Sequence, residues 1–158
     1  MIMRGLVTFV CWGNICRSAM AEQVMRAYAD RHGCEIDVDS AGVSSEEAGH
    51  DIDPRAKRTL LAHGYPVGSH RAKKASRELI EDSDLVVAFE DIHCERLRRI
   101  APNSEVIHLI TDFDPSVPNG TGVDDPWYGD DAAFEDTLAS IEGALSGIMT
   151  YLESVATR

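Results

Sequence analysis

The most constraining feature of the sequence is a short apolar segment that runs directly into Cys-x5-Arg-Ser and then into a helix-like segment. Residues 6–11 predict a buried strand, and residues 18–32 predict a helix. A loop between a strand and a helix N-terminus can direct its backbone N–H groups at an anion, and the helix adds partial positive charge. The pattern predicts an anion-binding loop that begins at Cys11 and ends at Arg17.

The residue types in this loop suit a nucleophile that faces a phosphate-sized dianion. The field of the loop favours the thiolate form of Cys11, and Arg17 offers a planar fork of donors for two phosphate oxygens. Gly13 lets the backbone approach a ligand, and Asn14 tolerates the left-handed conformation of a tight loop. Ser18 is placed to donate a hydrogen bond to the sulfur. A bare Cys-x5-Arg also arises by chance, so the flanking strand and helix carry this interpretation.

The rest of the chain alternates strands and helices. Further strands are predicted at residues 36–40, 85–89 and 106–109, and further helices at residues 53–63, 76–80, 92–101 and 132–154. This order predicts right-handed crossovers and an α/β fold, in which a parallel sheet is covered on both faces. Ligands of such folds bind at the carboxyl ends of strands, where Cys11 lies. The length, with no repeat or linker, predicts one domain over residues 1–158.

A second motif, Asp-Asp-Pro-Trp-Tyr-Gly, occupies residues 124–129 in a long predicted loop. A thiolate that attacks a phosphate monoester must expel an oxygen leaving group, and a carboxylic acid that protonates it accelerates the step by about 10²–10⁴-fold. The proline after Asp125 restricts that residue to an extended conformation, while Asp124 competes for the same role. Trp127 and Tyr128 are suited to wall a slot for an aromatic ring.

Together the two motifs resemble the low-molecular-weight protein-tyrosine phosphatases. The resemblance extends over essentially the whole chain and includes Asp-Ser-Ala-Gly at residues 39–42 and His-Gly-Tyr-Pro at residues 63–66. It implies a three-layer flavodoxin-like fold with a four-stranded parallel sheet and helices on both faces. It also implies that no metal or organic cofactor is needed.

The same resemblance implies a role for each site residue. Cys11 would be the nucleophile and form a phosphocysteine, Arg17 would bind the phosphoryl group, and Asp125 would act as acid and then as base. Ser40 would brace the loop, and His70 is a further candidate brace. The substrate-binding residues would be Trp12, Gly13, Asn14, Ile15, Cys16, Ser18, Trp127 and Tyr128. No metal site is predicted, because the spacing of Cys11 and Cys16 does not suit a closed tetrahedral zinc site.

Some positions leave alternatives open. In the family, the position of Cys16 can form a reversible disulfide with the nucleophile, and we weigh this equally against a small side chain packed under the loop. Trp12 stands where the family usually has a smaller residue, Ala19 where proline is common, and Glu46 where many members have an aromatic residue. These departures concern peptide preference. Glu90 stands where aspartate is common.

Three other functions compete with phosphotyrosine hydrolysis. A phosphoarginine phosphatase would suit a polar residue at position 15, whereas the apolar Ile15 favours an aryl substrate. An arsenate reductase would need two further cysteines, and Glu90 occupies the place of one of them although Cys94 lies near the other. A non-catalytic phosphate-binding module would be expected to lack one of the three catalytic residues.

Composition limits the partners and the compartment. The net charge of −12 argues against nucleic acid and anionic membranes as partners. There is no apolar run of membrane-spanning length and no signal-peptide pattern, and the four cysteines form no disulfide framework. We therefore expect a cytoplasmic protein, although export without a signal peptide would leave no trace here. Its partners would be phosphotyrosine proteins, among them a bacterial-type tyrosine kinase, and it would be monomeric or weakly self-associating through Trp127 and Tyr128.

Overall fold

The computed structural model describes residues 5–156, which fold around a four-stranded parallel sheet in the order β2-β1-β3-β4. The strands are β1 Leu6–Cys11, β2 Asp37–Gly42, β3 Leu85–Ala88 and β4 Ile107–Leu109. The helices are α1 Arg17–Arg31, α2 Pro54–Ala62, α3 Arg77–Asp82, α4 Asp91–Ile100 and α5 Asp131–Ala156, with 3₁₀ turns at Ile110–Phe113 and Pro126–Tyr128. The predicted α/β fold with a four-stranded parallel sheet is confirmed.

Side chains of the sheet alternate between two apolar clusters, one on each face. Phe9 and Cys11 of β1 lie in the larger cluster, which includes buried residues of α1, α2 and α5. Val10 points to the smaller cluster, which includes Leu97 of α4. The period of two along β1 thus lets one short strand anchor both helical layers.

The position of the site follows from the strand order. From β1 the chain crosses to β2 on one side of the sheet and then returns past β1 to β3 on the other side. This reversal makes the carboxyl ends of β1 and β3 a topological switch point, where open α/β sheets bind ligands. The loop after β1 and Glu90, just after β3, both lie there.

The second strand runs two residues further than predicted. Cys11 at the end of β1 pairs with Gly42, so β2 continues to the level of the site. A Cβ on residue 42 would lie 2.6 Å from the carbonyl oxygen of Trp12, which only glycine avoids. The two 3₁₀ turns were not predicted, because each is shorter than the window in which periodicity can be seen.

No helix within residues 5–156 is long and apolar enough to cross a membrane.

Candidate active site

The loop between β1 and α1 is held in a single conformation by Asn14. This residue has φ 62°, in the left-handed region that asparagine tolerates better than most residues. Its buried side-chain amide donates to the hydroxyl oxygens of Ser18 and Ser40, both at 2.9 Å, and its side-chain oxygen accepts from the backbone of Lys73 at 3.1 Å. Both amide protons are therefore used. The carbonyl of Asn14 also contacts His70 Nε2 at 2.6 Å.

Ser40 connects the hydrogen bonds of Asn14 to helix α1. Its hydroxyl donates to Glu22 Oε1 at 2.5 Å, and Glu22 is itself buried and paired with Arg26. The structure thus brings Ser40 and His70 to the loop, from β2 and from the segment after α2. Glu22 was missed from the sequence, although a glutamate among the alanines and methionines of the buried face of α1 is a detectable signal.

The sulfur of Cys11 lies 3.1 Å from the hydroxyl of Ser18. Ser18 accepts a hydrogen bond from Asn14, so its own hydrogen is available to the sulfur or to the carbonyl of Ala41 at 3.3 Å. Both side chains are almost fully buried. The Ser18 hydroxyl is thus placed to donate a hydrogen bond to the Cys11 sulfur.

Arg17 is 2% exposed, and its guanidinium is held from behind. Nη1 donates to Glu90 at 2.6 Å and to the carbonyl of Val123 at 2.8 Å, while Nη2 lies 3.5 Å from Asp125. Nε is buried and has no acceptor among residues 5–156. A buried N–H without a partner is costly, so an oxygen of a bound anion is its natural acceptor.

Glu90 is in turn oriented by His93. The backbone N–H of Glu90 donates to His93 Nδ1 at 3.1 Å, which leaves the proton of the neutral ring on Nε2, 3.6 Å from the Glu90 carboxylate. Burial and the charges of Arg17 and Arg96 lower the pKa of His93 to about 3. The ring is therefore uncharged at neutral pH.

These groups face a cavity of about 210 Å³. Cys11, Arg17 and Asp125 all line it. The remaining lining residues are Trp12, Gly13, Ile15, Cys16, Glu46, Glu47, Trp127 and Tyr128. The two motifs, more than a hundred residues apart in sequence, therefore form one concave site, and Ser40 and His70 support it from outside the lining.

The mouth of the cavity combines aromatic rings with carboxylates. The ring of Trp12 lies under the guanidinium of Arg96 at 4.5 Å, and its N–H points to Glu46 at 3.4 Å. On the other side Trp127 is 46% exposed and Tyr128 is 88% exposed. Arg96 holds Trp12 as one wall through a cation–π contact.

Cys16 is a buried free thiol at the edge of the cavity lining. Burial, together with the negative charges of Asp53, Cys11 and Asp125, raises its pKa well above the ordinary value. The Cys16 thiol therefore stays protonated at neutral pH. All four cysteines are free thiols.

Asp53 and Arg55, at the start of α2, were predicted only as part of a helix. In the structure Asp53 contacts the loop after β1, and Arg55 contacts the segment that follows Asp125. The backbone of Asp53 donates to the carbonyl of Ile15 at 2.9 Å, and Arg55 reaches the carbonyls of Trp127 and Gly129. No local pattern could reveal a partner some seventy residues away. Within the described part of the chain, no three His, Cys, Asp or Glu side chains are grouped as metal ligands.

Comparison with known proteins gives matches over nearly the whole chain. Residues 6–157 match the family model described as low molecular weight phosphotyrosine protein phosphatase. The low molecular weight protein-tyrosine phosphatase A of Mycobacterium tuberculosis is 40% identical over 156 residues, which cover 96% of this chain and 94% of that protein.

Solved structures agree with this match. A protein tyrosine phosphatase from Entamoeba histolytica, crystallised with Hepes in the active site, has a TM-score of 0.89 and 27% identity over 95% of this chain and 97% of its own. The YwlE arginine phosphatase of Bacillus subtilis has a TM-score of 0.83 and 26% identity over 94% of this chain and 95% of its own.

Proposed function

The chain belongs to the low molecular weight phosphotyrosine protein phosphatase family, and we propose that it hydrolyses phosphotyrosine through a phosphocysteine formed on Cys11. One observation carries the proposal. Cys11, Arg17 and Asp125 line the same cavity at the carboxyl end of β1.

In the first step the Cys11 thiolate attacks phosphorus. The S–P bond forms as the P–O bond to tyrosine breaks, and Asp125 gives its proton to the leaving phenolate oxygen. The Nε and Nη2 groups of Arg17 bind two phosphoryl oxygens and stabilise the charge that develops on them. Glu90 and the Val123 carbonyl hold Nη1, so the guanidinium is already oriented before substrate arrives.

In the second step water hydrolyses the phosphocysteine. Asp125, now ionised, removes a proton from the water as its oxygen attacks phosphorus, and the S–P bond breaks. Inorganic phosphate and the thiolate are the products, and Asp125 regains its proton. The Ser18 hydroxyl, 3.1 Å from the sulfur, stabilises the thiolate as leaving group.

The cavity walls support an aryl substrate. Trp12 and Trp127 border the slot, and Ile15 lines it without a polar atom that could bind a guanidinium. A flat phenol ring gains apolar contact from such walls, whereas Ile15 itself offers no acceptor to the N–H donors of a phosphoarginine. This argument favours phosphotyrosine over phosphoarginine, the substrate class named for one structural neighbour.

The arrangement gives little support to an arsenate reductase. Cys94 is buried in the smaller apolar cluster on the face of the sheet opposite Cys11, and its pKa is raised mainly by that burial. Glu90, at the position of the other expected cysteine, is bound to Arg17. A relay that carries the disulfide outward from Cys11 would therefore find neither of its two further thiols in the cavity lining.

The proposal is tested by initial rates on peptides that carry phosphotyrosine, phosphoserine or phosphoarginine, measured with chelator present. Wild type is expected to hydrolyse the phosphotyrosine peptide fastest, and rapid denaturation during turnover should trap phosphate on Cys11. Cys11→Ser should abolish turnover, while Cys34→Ser, a half-buried thiol outside the site, serves as the matched control. Faster hydrolysis of phosphoarginine, or activity retained by Cys11→Ser, would refute the proposal.

A further inference from the structure

We propose that Arg55 is a positioning residue for the general acid, acting through the backbone of the segment that follows Asp125. The inference rests on the proposed function, because it assigns a cause to the orientation of the proposed acid. Arg55 lines no part of the catalytic cavity. Its effect would be exerted entirely through other residues.

The guanidinium of Arg55 is fixed to α2 on one side. Nε and Nη2 donate to the two carboxylate oxygens of Asp53 at 3.1 and 3.0 Å, a fork-to-fork pair. Asp53 is buried and also caps α2 by accepting from the backbone of Arg55 at 2.8 Å. Burial alone would raise the pKa of Asp53, but these hydrogen bonds outweigh it and lower the pKa, so the pair remains charged.

On the other side the same guanidinium holds the segment after the acid. Nη1 donates to the carbonyls of Trp127 and Gly129 at 3.2 and 3.4 Å. The plane also lies against two rings, with its carbon 5.2 Å from the centre of Trp127 and 4.7 Å from that of Phe134 on α5. All three nitrogens of the guanidinium therefore donate hydrogen bonds while the group lies near two rings, which the planar fork of arginine permits.

The link from Arg55 to the acid passes through a single residue, Trp127. The backbone N–H of Trp127 donates to Asp125 Oδ1 at 3.0 Å, while the carbonyl of the same residue accepts from Arg55. Asp125 Oδ2 is thereby directed towards Arg17 Nη2, at 3.5 Å. Fixing residue 127 fixes which carboxylate oxygen faces the substrate.

Asp53 completes a bridge between the two halves of the site. Its backbone N–H donates to the carbonyl of Ile15, in the anion-binding loop, at 2.9 Å. The path from Ile15 through Asp53 and Arg55 to Trp127 thus sets the distance between the nucleophile loop and the acid. A small error in that distance costs rate in a proton transfer that needs hydrogen-bond contact.

The test compares two substrates that differ in their need for the acid. Phosphotyrosine expels a phenol with a pKa of roughly 10, whereas an activated aryl phosphate, such as a fluorinated coumarin phosphate, leaves without much help. Arg55→Gln is expected to lower kcat/KM for phosphotyrosine by about 10- to 100-fold, a part of the full effect of an acid. For the activated ester, kcat/KM should fall by less than about threefold.

Three controls separate positioning from a general loss of structure. Arg58→Gln, one turn along α2, removes an exposed pair with Asp131 and should change neither rate by more than about twofold. Arg55→Lys keeps the positive charge but lacks the planar fork of donors. Its loss of kcat/KM should again be larger for phosphotyrosine than for the activated ester, but smaller than the loss in Arg55→Gln, and its Tm should be close to that of wild type. In an Asp125→Asn background, Arg55→Gln should cause no further loss.

Equal losses on both substrates, an additive loss in the double variant, or no loss on phosphotyrosine would each overturn the role of Arg55. The failure of the proposed function would look different. In that case wild type itself would hydrolyse neither ester, or Asp125→Asn would not lower the rate on phosphotyrosine.

Discussion

Asp125 Oδ2 lies 3.5 Å from Arg17 Nη2, so the proposed acid and the proposed phosphate-binding group are in contact in the protein alone. A bound phosphate would take up the charge of Arg17 and leave the carboxyl beside the ester oxygen. The pairing thus places the Asp125 carboxyl next to the position that the leaving group of a bound substrate would occupy. Asp124, its neighbour, is exposed and does not line the cavity.

Asp125 lines the cavity and Asp124 does not, a difference that the sequence spacing of the two carboxylates could not reveal. Asp125→Asn is expected to lower kcat/KM for phosphotyrosine by about 10²–10⁴-fold, because the amide cannot donate an acidic proton. Asp124→Asn carries the same change in charge and should stay within about twofold of wild type. Steady-state rates with phosphotyrosine decide the matter, and a larger loss at position 124 would show that the acid is the other residue.

Asn14 allows backbone strain to be separated from hydrogen bonding. Asn14→Ala removes three side-chain hydrogen bonds and also places alanine at φ 62°, which costs about 1–2 kcal/mol. Asn14→Gly removes the same bonds without that strain. We expect the glycine variant to have the higher Tm of the two, while both bind orthovanadate about tenfold or more weakly than wild type. Vanadate affinity restored by glycine would show that conformation alone shapes the loop.

Glu46 at the mouth of the cavity is expected to disfavour acidic residues next to the phosphotyrosine. Glu46→Gln should raise kcat/KM for peptides with acidic flanks by about two- to fivefold at low salt, and less at high salt, because exposed charges are screened. Glu81→Gln on α3 makes the same change in charge away from the cavity and serves as the control. Paired peptides with acidic and basic flanks provide the measurement, and an equal effect of both variants would refute a local role.

His93 is expected to make stability depend on pH in the acidic range. Burial and nearby Arg17 and Arg96 lower its pKa from 6.5 to about 3, so between these values the unfolded chain binds more protons than the folded one. This contribution is complete above pH 6.5 and is lost as the pH falls towards 3. From pH 7.5 to pH 5 wild type should lose about 2 kcal/mol of unfolding free energy that His93→Gln does not lose.

Urea unfolding at the two pH values measures this difference. The exposed His32, replaced by glutamine, is the control and should retain the loss seen in wild type. Equal losses in wild type and His93→Gln would show that the buried ring does not resist protonation.

The sequence predicted those parts of the molecule that depend on local physical properties. The apolar run of β1, the cap of α2 and the periodicity of α5 each have a local cause, so their positions were predicted to within a few residues. The conformation of Asn14 was also expected from its residue type, and φ 62° agrees. The order of the predicted strand and helix along the sequence also located Cys11 at the carboxyl end of its strand.

What the sequence could not predict is long-range contact. Arg17 and Glu90 are 73 residues apart, and Arg55 and Trp127 are 72 apart. Each contact depends on how strands are ordered in the sheet and how the last loop crosses its edge. From the sequence, Glu90 was noted as a departure from the family and as the residue in place of a reductase cysteine, and Arg55 only as part of a helix; neither interpretation named its partner.

The long-range bracing of the anion-binding loop has a consequence for how the chain becomes active. The loop itself is formed by neighbouring residues, but Ser40, Lys73, Glu90 and Val123 that hold it come from four later segments. A partly folded chain with only β1, α1 and β2 in place would carry the nucleophile but leave Arg17 without the acceptors that orient it. Because Glu90 and Val123 lie 73 and 106 residues from Arg17 along the chain, catalytic competence requires a folded structure that includes both of these segments. Regained activity after denaturation therefore reports the completion of the whole fold, and helical signal alone does not.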